Sequence, residues 1–306
     1  MISVPKHVTI YEVGPRDGLQ NEKSLVSVDA KIRYIDMLSE AGFEAIEATS
    51  FVSPTAIPQL ADATEVMSGI TRKPNVRYPV LVPNERGMLR AIESGVTEVA
   101  VFTAASESFT HANINKTIQQ SLDSFAPVIA LAREHGIIVR GYVSTALGCP
   151  YEGHVPESKV AEVAISLIEL GVGEISIGDT IGIGTPGDVE RVFGKLLQTI
   201  PANRLAAHFH DTRGTALANV MTVLQMGITT VDSSSGGLGG CPYAPGAAGN
   251  LATEDLVFML DGMGVHTGVN LQKVIEASIL ILDHLDRSPA SKFVQAYLAS
   301  SALAVK

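Results

Sequence analysis

Residues 157–178 read ESKVAEVAISLIELGVGEISIG. Apolar residues recur three and four apart through Leu170, as one face of a helix requires. Gly171 follows where a helix must stop, and Glu174–Gly178 then alternates as a strand does. The same phrase (helix, glycine, one or two residues, strand) returns along the chain at Ala41-Gly42, Ser94-Gly95, His135-Gly136 and Met226-Gly227. Short β-branched runs at 8–13, 45–49, 77–82, 98–103, 138–144, 174–178, 205–210 and 229–233 predict eight strands. Helical spacing at 29–41, 85–95, 117–136, 157–171, 188–199 and 215–227 predicts the helices between them. Asn84 before Glu85, Thr185 before Pro186, and Asp211 and Thr212 before Thr215 stand where helix caps belong.

Eight such units in about 250 residues predict an α/β fold, a (β/α)8 TIM barrel with extra C-terminal helices. We expect a single catalytic domain over 1–306, with the barrel at about 5–265 and the additional helices at about 266–306. An open doubly wound sheet would need fewer strands and a phosphate-binding glycine fingerprint after the first one, and neither is present.

The 306 residues are 46% hydrophobic and 18% charged, ample material for a large core. A formal charge of −10 leaves no basic face to spare, so no nucleic-acid partner is expected. A phosphorylated small ligand needs only a few local cations and stays open. Two cysteines, Cys149 and Cys241, make no disulfide framework and point to a reducing compartment. The segment MISVPKHVTIYEV runs straight into a strand with neither signal nor transit character, and Ala-Val-Lys at the end is no peroxisomal address. No apolar run approaches a membrane span, so the expectation is a cytoplasmic protein without a membrane partner.

In a barrel of this kind chemistry sits at the C-terminal ends of the strands. Those ends carry Arg16-Asp17, Glu47, Asn84, Thr103, Ser144-Thr145, Asp179-Thr180, His208, His210 and Ser233 to Ser235. Asn84 and Asp179-Thr180 read as ordinary capping residues. In 205–211, LAAHFHD, strand alternation puts His208 and His210 on one side and turns Phe209 towards whatever packs behind. With Arg16-Asp17 they crowd four ionisable groups into one barrel mouth, which burial tolerates only when charges are paired or bind a metal. A divalent cation satisfies the crowd. Asp17 would give it an anionic oxygen, His208 and His210 two nitrogens, and Asn250 a neutral oxygen, with substrate or water completing the shell. Mixed nitrogen and oxygen donors with open positions suit Mg²⁺ or Mn²⁺ better than a closed zinc site.

The glycine-rich stretch 236–249 holds Cys241 at its middle. Two readings stand for it: a flexible surface loop, or a loop whose thiol donates a proton when it closes over the metal site. Cys149 occurs in a similar phrase, Leu-Gly-Cys-Pro-Tyr, without an acid or base at its own strand end, and reads as structural.

Five segments carry a resemblance. They are EVGPRDGLQNE (12–22), IEATSFVSP (46–54), GDTIG (178–182), HFHDT (208–212) and GGLGGCPYAPGAAGN (236–250). Together they resemble the 3-hydroxy-3-methylglutaryl-CoA lyases, metal-dependent TIM-barrel enzymes related to the Claisen-type synthases, from about residue 5 to about 300. The resemblance implies that Asp17, His208, His210 and Asn250 bind Mg²⁺ or Mn²⁺. It makes Arg16 the catalytic arginine that meets substrate and the enolate oxygen. Glu47 would orient Arg16, Cys241 would finish the reaction, and His208 would share in proton chemistry. Gln20 would bind substrate, and Lys23 and Arg213 are the cations we single out for CoA.

The implied reaction is retro-Claisen cleavage of (S)-3-hydroxy-3-methylglutaryl-CoA to acetoacetate and acetyl-CoA, with Asp17 or His208 as base. Self-association as a dimer or larger homo-oligomer, and a place in leucine degradation, complete the expectation. The alternatives are a lyase for a longer branched 3-hydroxyacyl-CoA and a Claisen-type synthase joining acetyl-CoA to a 2-oxo acid. The Cys241 loop argues against the synthase. In a metal-dependent amidohydrolase the His-x-His pair normally follows the first strand, whereas here it lies on the seventh.

Overall fold

The structure, a computed structural model, describes residues 4–240 and 249–304. Its strands are β1 (Thr9–Glu12), β2 (Ala45–Ile46), β3 (Thr49–Ser50), β4 (Val80–Leu81), β5 (Glu98–Ala104), β6 (Ile138–Ser144), β7 (Glu174–Asp179), β8 (Leu205–Phe209) and β9 (Thr230–Ser233). All pair in parallel, in the order β2-β1-β9-β8-β7-β6-β5-β4-β3. The two ends of that order are halves of one strand. Ala45 and Ile46 pair with β1, Thr49 and Ser50 pair with β4, and the amides between divide the same way: Glu47 N donates to Glu12 O and Ala48 N to Pro79 O. The sheet therefore closes on itself as an eight-stranded barrel. The strand expected at 45–49 is thus split and extended to Ser50. The one expected at 77–82 is reduced to two residues, because Pro79 has no amide to give a ladder.

Around the barrel run α1 (Val28–Glu40), α2 (Ala63–Gly69), α3 (Glu85–Glu93), α4 (Glu107–Ile114), α5 (Ile118–Glu134), α6 (Glu157–Leu170), α7 (Pro186–Leu196) and α8 (Ala216–Gln225). After the last strand come α9 (Thr253–Gly262), α10 (Leu271–Leu285) and α11 (Lys292–Ala304). Two of the expected caps are in place: Asn84 Oδ1 accepts Gly87 N at 3.0 Å, and Thr185 stands before Pro186 at the head of α7. Asp211 caps from a distance, its Oδ1 accepting Ala216 N at 3.0 Å, whereas Thr212, expected beside it, caps nothing: its Oγ1 is buried with no partner among the described residues. Gly42 closes α1 at φ 95°, and a Cβ there would lie 2.4 Å from Gly268 O, so both conformation and space demand glycine. No helix among the described residues is long and apolar enough to cross a membrane.

The strands segregate their side chains sharply. On β6, Val139 and Val143 face outward into the main core with Val99, Val101, Ile175, Ile177 and Val231, packed against the helices. Arg140 and Tyr142, on the opposite face, enter the barrel. There Arg140 meets Glu174 at 2.8 Å and Asp232 at 2.7 Å, and Tyr11 Oη donates to Glu98 at 3.1 Å. The barrel is lined with paired charges beside a small apolar cluster of Leu81, Ala100 and Tyr142. That charged lining positions the site.

Candidate metal and catalytic site

After β1 the chain makes a single wide turn, Gly14–Gly18, with amides of Asp17 and Gly18 donating back to Val13 O. The turn lifts Arg16 and Asp17 into the barrel mouth. Arg16 is 5% exposed, yet every face of its guanidinium is engaged. Nε and Nη2 each lie 2.7 Å from Glu47 Oε2, Nη1 lies 2.6 Å from Asp17 Oδ1, and the Tyr142 ring sits 5.3 Å from its centre. Tyr142 Oη donates to the same Glu47 oxygen at 3.1 Å. Glu47, at the break between β2 and β3, is fully buried and fixes the arginine from behind.

His208 and His210 project from the end of β8 with ring centroids 5.4 Å apart. Phe209 between them turns outward against Phe193 of α7, as alternation requires. The segment after the glycine loop returns beside β8: Asp211 N donates to Gly249 O, and Leu251 N to Phe209 O. This pairing sets Asn250 opposite His210. Asn250 Nδ2 donates to Asp17 Oδ2 at 2.8 Å and to Leu238 O at 3.0 Å. A Cβ on Gly239, whose φ is 105°, would lie 2.3 Å from that nitrogen, so only glycine leaves Asn250 its place.

Ligand atoms of Asp17, His208 and His210 all lie within 4.8 Å of one another. Electrostatics have sorted the three. Burial alone would raise Asp17, but Arg16, His208 and His210 outweigh it and hold the carboxyl below its ordinary value. His210 is pulled down to about 4 by burial and by the neighbouring His208, which makes it a neutral imidazole near pH 7. Burial also works against charge on His208, yet hydrogen bonding to Asp232 and the charge of Asp17 carry it above the ordinary histidine value. One anion and two imidazoles at that spacing are a donor set for a divalent cation. The Nδ1 of His210, buried with no protein partner, is the kind of orphan that such an ion or its ligands relieves.

Other strand-end residues do different work. Asp179 accepts the amides of Ile183 and Gly184 at 3.1 and 2.8 Å and shapes the following loop, as a capping residue does. Thr103 Oγ1 meets Ser121 of α5 at 2.6 Å, and Ser233 meets Thr253 at 2.7 Å. Thr145 N donates to Thr180 Oγ1 at 2.8 Å. Cys149 is buried beside Ser106, its Sγ 3.0 Å from the hydroxyl, in keeping with a structural role. Arg213 Nη1 donates to Ile181 O and Gly182 O at 3.1 and 3.0 Å, so the structure ties it to a loop backbone. Gln20 is half-buried just past the Arg16–Asp17 turn. Cys241 lies outside the described residues.

Sequence reasoning missed four residues that enclose the site: Arg140, Tyr142, Ser176 and Asp232. Asp232 Oδ2 lies 3.2 Å from His208 Nδ1, and Arg140 and Ser176 hold the same carboxylate. The signal was available. A charge in the middle of an apolar strand, as in IVRGYVS or TTVDS, cannot face the helices and must pair inside the barrel.

The HMGL-like family model matches residues 7–281. The hydroxymethylglutaryl-CoA lyase, mitochondrial, of Bos taurus is 58% identical over 292 residues, covering 95% of this chain and 90% of that protein. A crystal structure of hydroxymethylglutaryl-CoA lyase from Pseudomonas aeruginosa superposes with a TM-score of 0.95 at 50% identity, covering 97% of this chain and 99% of that one. An HMG-CoA lyase from Acinetobacter baumannii, solved with coenzyme A and 3-methylmalate, gives 0.91 at 39% identity, with 97% of each chain covered.

Proposed function

Because the chain belongs to the HMGL-like family, we propose that it cleaves (S)-3-hydroxy-3-methylglutaryl-CoA to acetoacetate and acetyl-CoA. The observation that carries the reading is the convergence of Arg16, Asp17, His208, His210 and Asn250 on one barrel mouth, in a chain so similar to enzymes of that name. The catalytic unit is the whole chain, barrel at about 5–265 and helices at about 266–306. Its acyl-CoA partner is supported by the relative solved with coenzyme A.

Asp17, His208, His210 and Asn250 would hold Mg²⁺ or Mn²⁺, Asn250 through its amide oxygen. When bound, the ion supplies positive charge that makes the tertiary hydroxyl of the substrate more acidic. The hydroxyl proton passes to Asp17 or to His208, which reaches it only by leaving the ion. Of the two, the carboxylate keeps lone pairs to spare once it holds the ion, whereas His208 Nδ1 is committed to Asp232. As the alkoxide collapses to a ketone, the C2–C3 bond breaks and its electron pair moves onto the thioester as an enolate. Arg16 meets the enolate oxygen with a charge that cannot be neutralised. Glu47 and Tyr142 keep that guanidinium from turning away. The Cys241 thiol then delivers a proton to C2, completing acetyl-CoA, and Gln20 contributes to substrate binding. Leucine degradation is the pathway this reaction serves, and the low cysteine content supports the cytoplasm as its compartment.

The deciding experiment incubates the purified protein with 3-hydroxy-3-methylglutaryl-CoA and Mg²⁺ or Mn²⁺ under reducing conditions, with EDTA as control. Acetoacetate formed only in the presence of metal is the expected result. No product overturns the reading.

A further inference from the structure

We propose that Asp232 is a positioning residue for the metal centre, acting through His208. The inference rests on the metal reading above and goes beyond it. It begins with register. His208 of β8 and Asp232 of β9 are directly paired neighbours on parallel strands, so their side chains leave the sheet on the same face, into the barrel. His208 Nδ1 lies 3.2 Å from Asp232 Oδ2. A carboxylate can only accept, so Nδ1 carries the ring proton. In the neutral ring Nε2, 3.9 Å from Asp17 Oδ2, is left with a lone pair turned to the mouth.

Asp232 is itself immobilised. Arg140 grips it with two nitrogens, Nη2 to Oδ1 at 2.7 Å and Nη1 to Oδ2 at 3.1 Å, and Ser176 Oγ donates to Oδ2 at 2.7 Å. Arg140 has no freedom to follow another partner. It lies between the rings of Tyr11 and Tyr142, 3.9 and 4.9 Å from their centres, with Nε on Glu174 at 2.8 Å. Four consecutive strands, β6 to β9, thus contribute Arg140, Ser176, His208 and Asp232 to one braced line. Asp232 is 1% exposed and both its oxygens are engaged by these donors, so it does not compete as a ligand. Its task is to fix the tautomer and ring plane of a ligand, as carboxylates behind metal-bound histidines do.

The test uses Mn²⁺ alone as the probe, with binding read by calorimetry on wild type, Asp232→Asn, His208→Asn and the double variant. Asp232→Asn is expected to weaken Mn²⁺ binding about 10–100-fold. In the His208→Asn background the same change is expected to move affinity less than twofold, because the ring it acts through is gone. Unchanged affinity in the single variant overturns the inference, and so does an equal loss in both backgrounds, which marks a general structural role. Nitrogen-15 NMR of selectively labelled wild-type histidines gives an answer that needs no variant to fold. His208 protonated at Nδ1 in the metal-free protein is expected, and the Nε2–H tautomer overturns the inference. A wild-type protein that binds no Mn²⁺ sinks the metal reading first, and the inference with it.

Discussion

Glu47 Oε2 receives Arg16 through Nε and Nη2, each at 2.7 Å, while the remaining Nη1 reaches Asp17 at 2.6 Å. The guanidinium is a bridge between a fully buried carboxylate and the acidic residue of the proposed metal site. Its planar fork makes these contacts at once, which a lysine ammonium cannot do.

Arg16→Gln should therefore lower kcat by about 10²–10³, the loss typical of removing one stabiliser of transition-state charge. Mn²⁺ affinity should change far less, because the ligands come from other side chains. Arg16→Lys should restore little. Steady-state kinetics beside a Mn²⁺ titration checks this, and parallel loss of metal in Arg16→Gln would show that the two roles are not separate.

His210→Ala removes a proposed ligand that is already a neutral imidazole near pH 7. Mn²⁺ affinity should fall at least as far as it does when a supporting residue is lost, on the order of 100-fold. Turnover should be partly recovered at saturating Mn²⁺. Activity measured across a metal series distinguishes this from a fold defect, which excess metal would not repair.

Cys241→Ser should leave Mn²⁺ affinity within about twofold while cutting kcat by roughly 10²–10⁴, the range for a positioned proton donor. Full activity in the serine variant would remove the thiol from the reaction.

Gly239→Ala and Gly136→Ala separate backbone strain from damage to the site. Both positions have positive φ, but an added Cβ meets nothing within 4 Å at Gly136 and meets Asn250 at 2.3 Å at Gly239. Gly136→Ala should cost about 1–2 kcal/mol of stability with metal binding intact. Gly239→Ala should lose Mn²⁺ affinity as well, by displacing Asn250. Equal Mn²⁺ affinity in the two variants would contradict this.

Glu12 should make the fold less stable as pH rises through neutrality. Its carboxyl accepts amides of Gly14 and Ser235 and the Thr253 hydroxyl, with no cation paired to it among the described residues. Burial pushes it up to about 7 despite those hydrogen bonds, and burial does the same to the neighbouring Glu254. Between the ordinary carboxylate range and pH 7 the folded chain binds protons that the unfolded chain has released. Stability therefore falls across that window, by up to about 3 kcal/mol per carboxyl. Denaturant unfolding at pH 5 to 8 should show a shallower decline in Glu12→Gln than in wild type. Identical slopes would count against the assignment.

Much of the fold could be read from residue order. The glycine after each helix and the alternation within each strand depend on a residue and its near neighbours, and Gly42 and Gly171 stop helices where the sequence says they should. Capping at Asn84 was legible for the same reason. The break at Glu47 was not. It arises because one strand must close the barrel by pairing with β1 on one side and β4 on the other, a demand that neither half of the strand carries alone.

The site divides along the same line. Residue types and their places at strand ends were enough to single out Asp17, His208 and His210, since ionisable groups gathered at a barrel mouth need a shared partner. They were also enough to single out Arg16. What only the tertiary structure decided is which groups stand behind them. Asp232 reaches His208 through strand register, Arg140 reaches Asp232 across two strands, and Glu47 reaches Arg16 from 31 residues away. Sequence fixes which face of a strand a side chain takes, because that is a two-residue period. The closure and register of the barrel fix which buried charge it meets there.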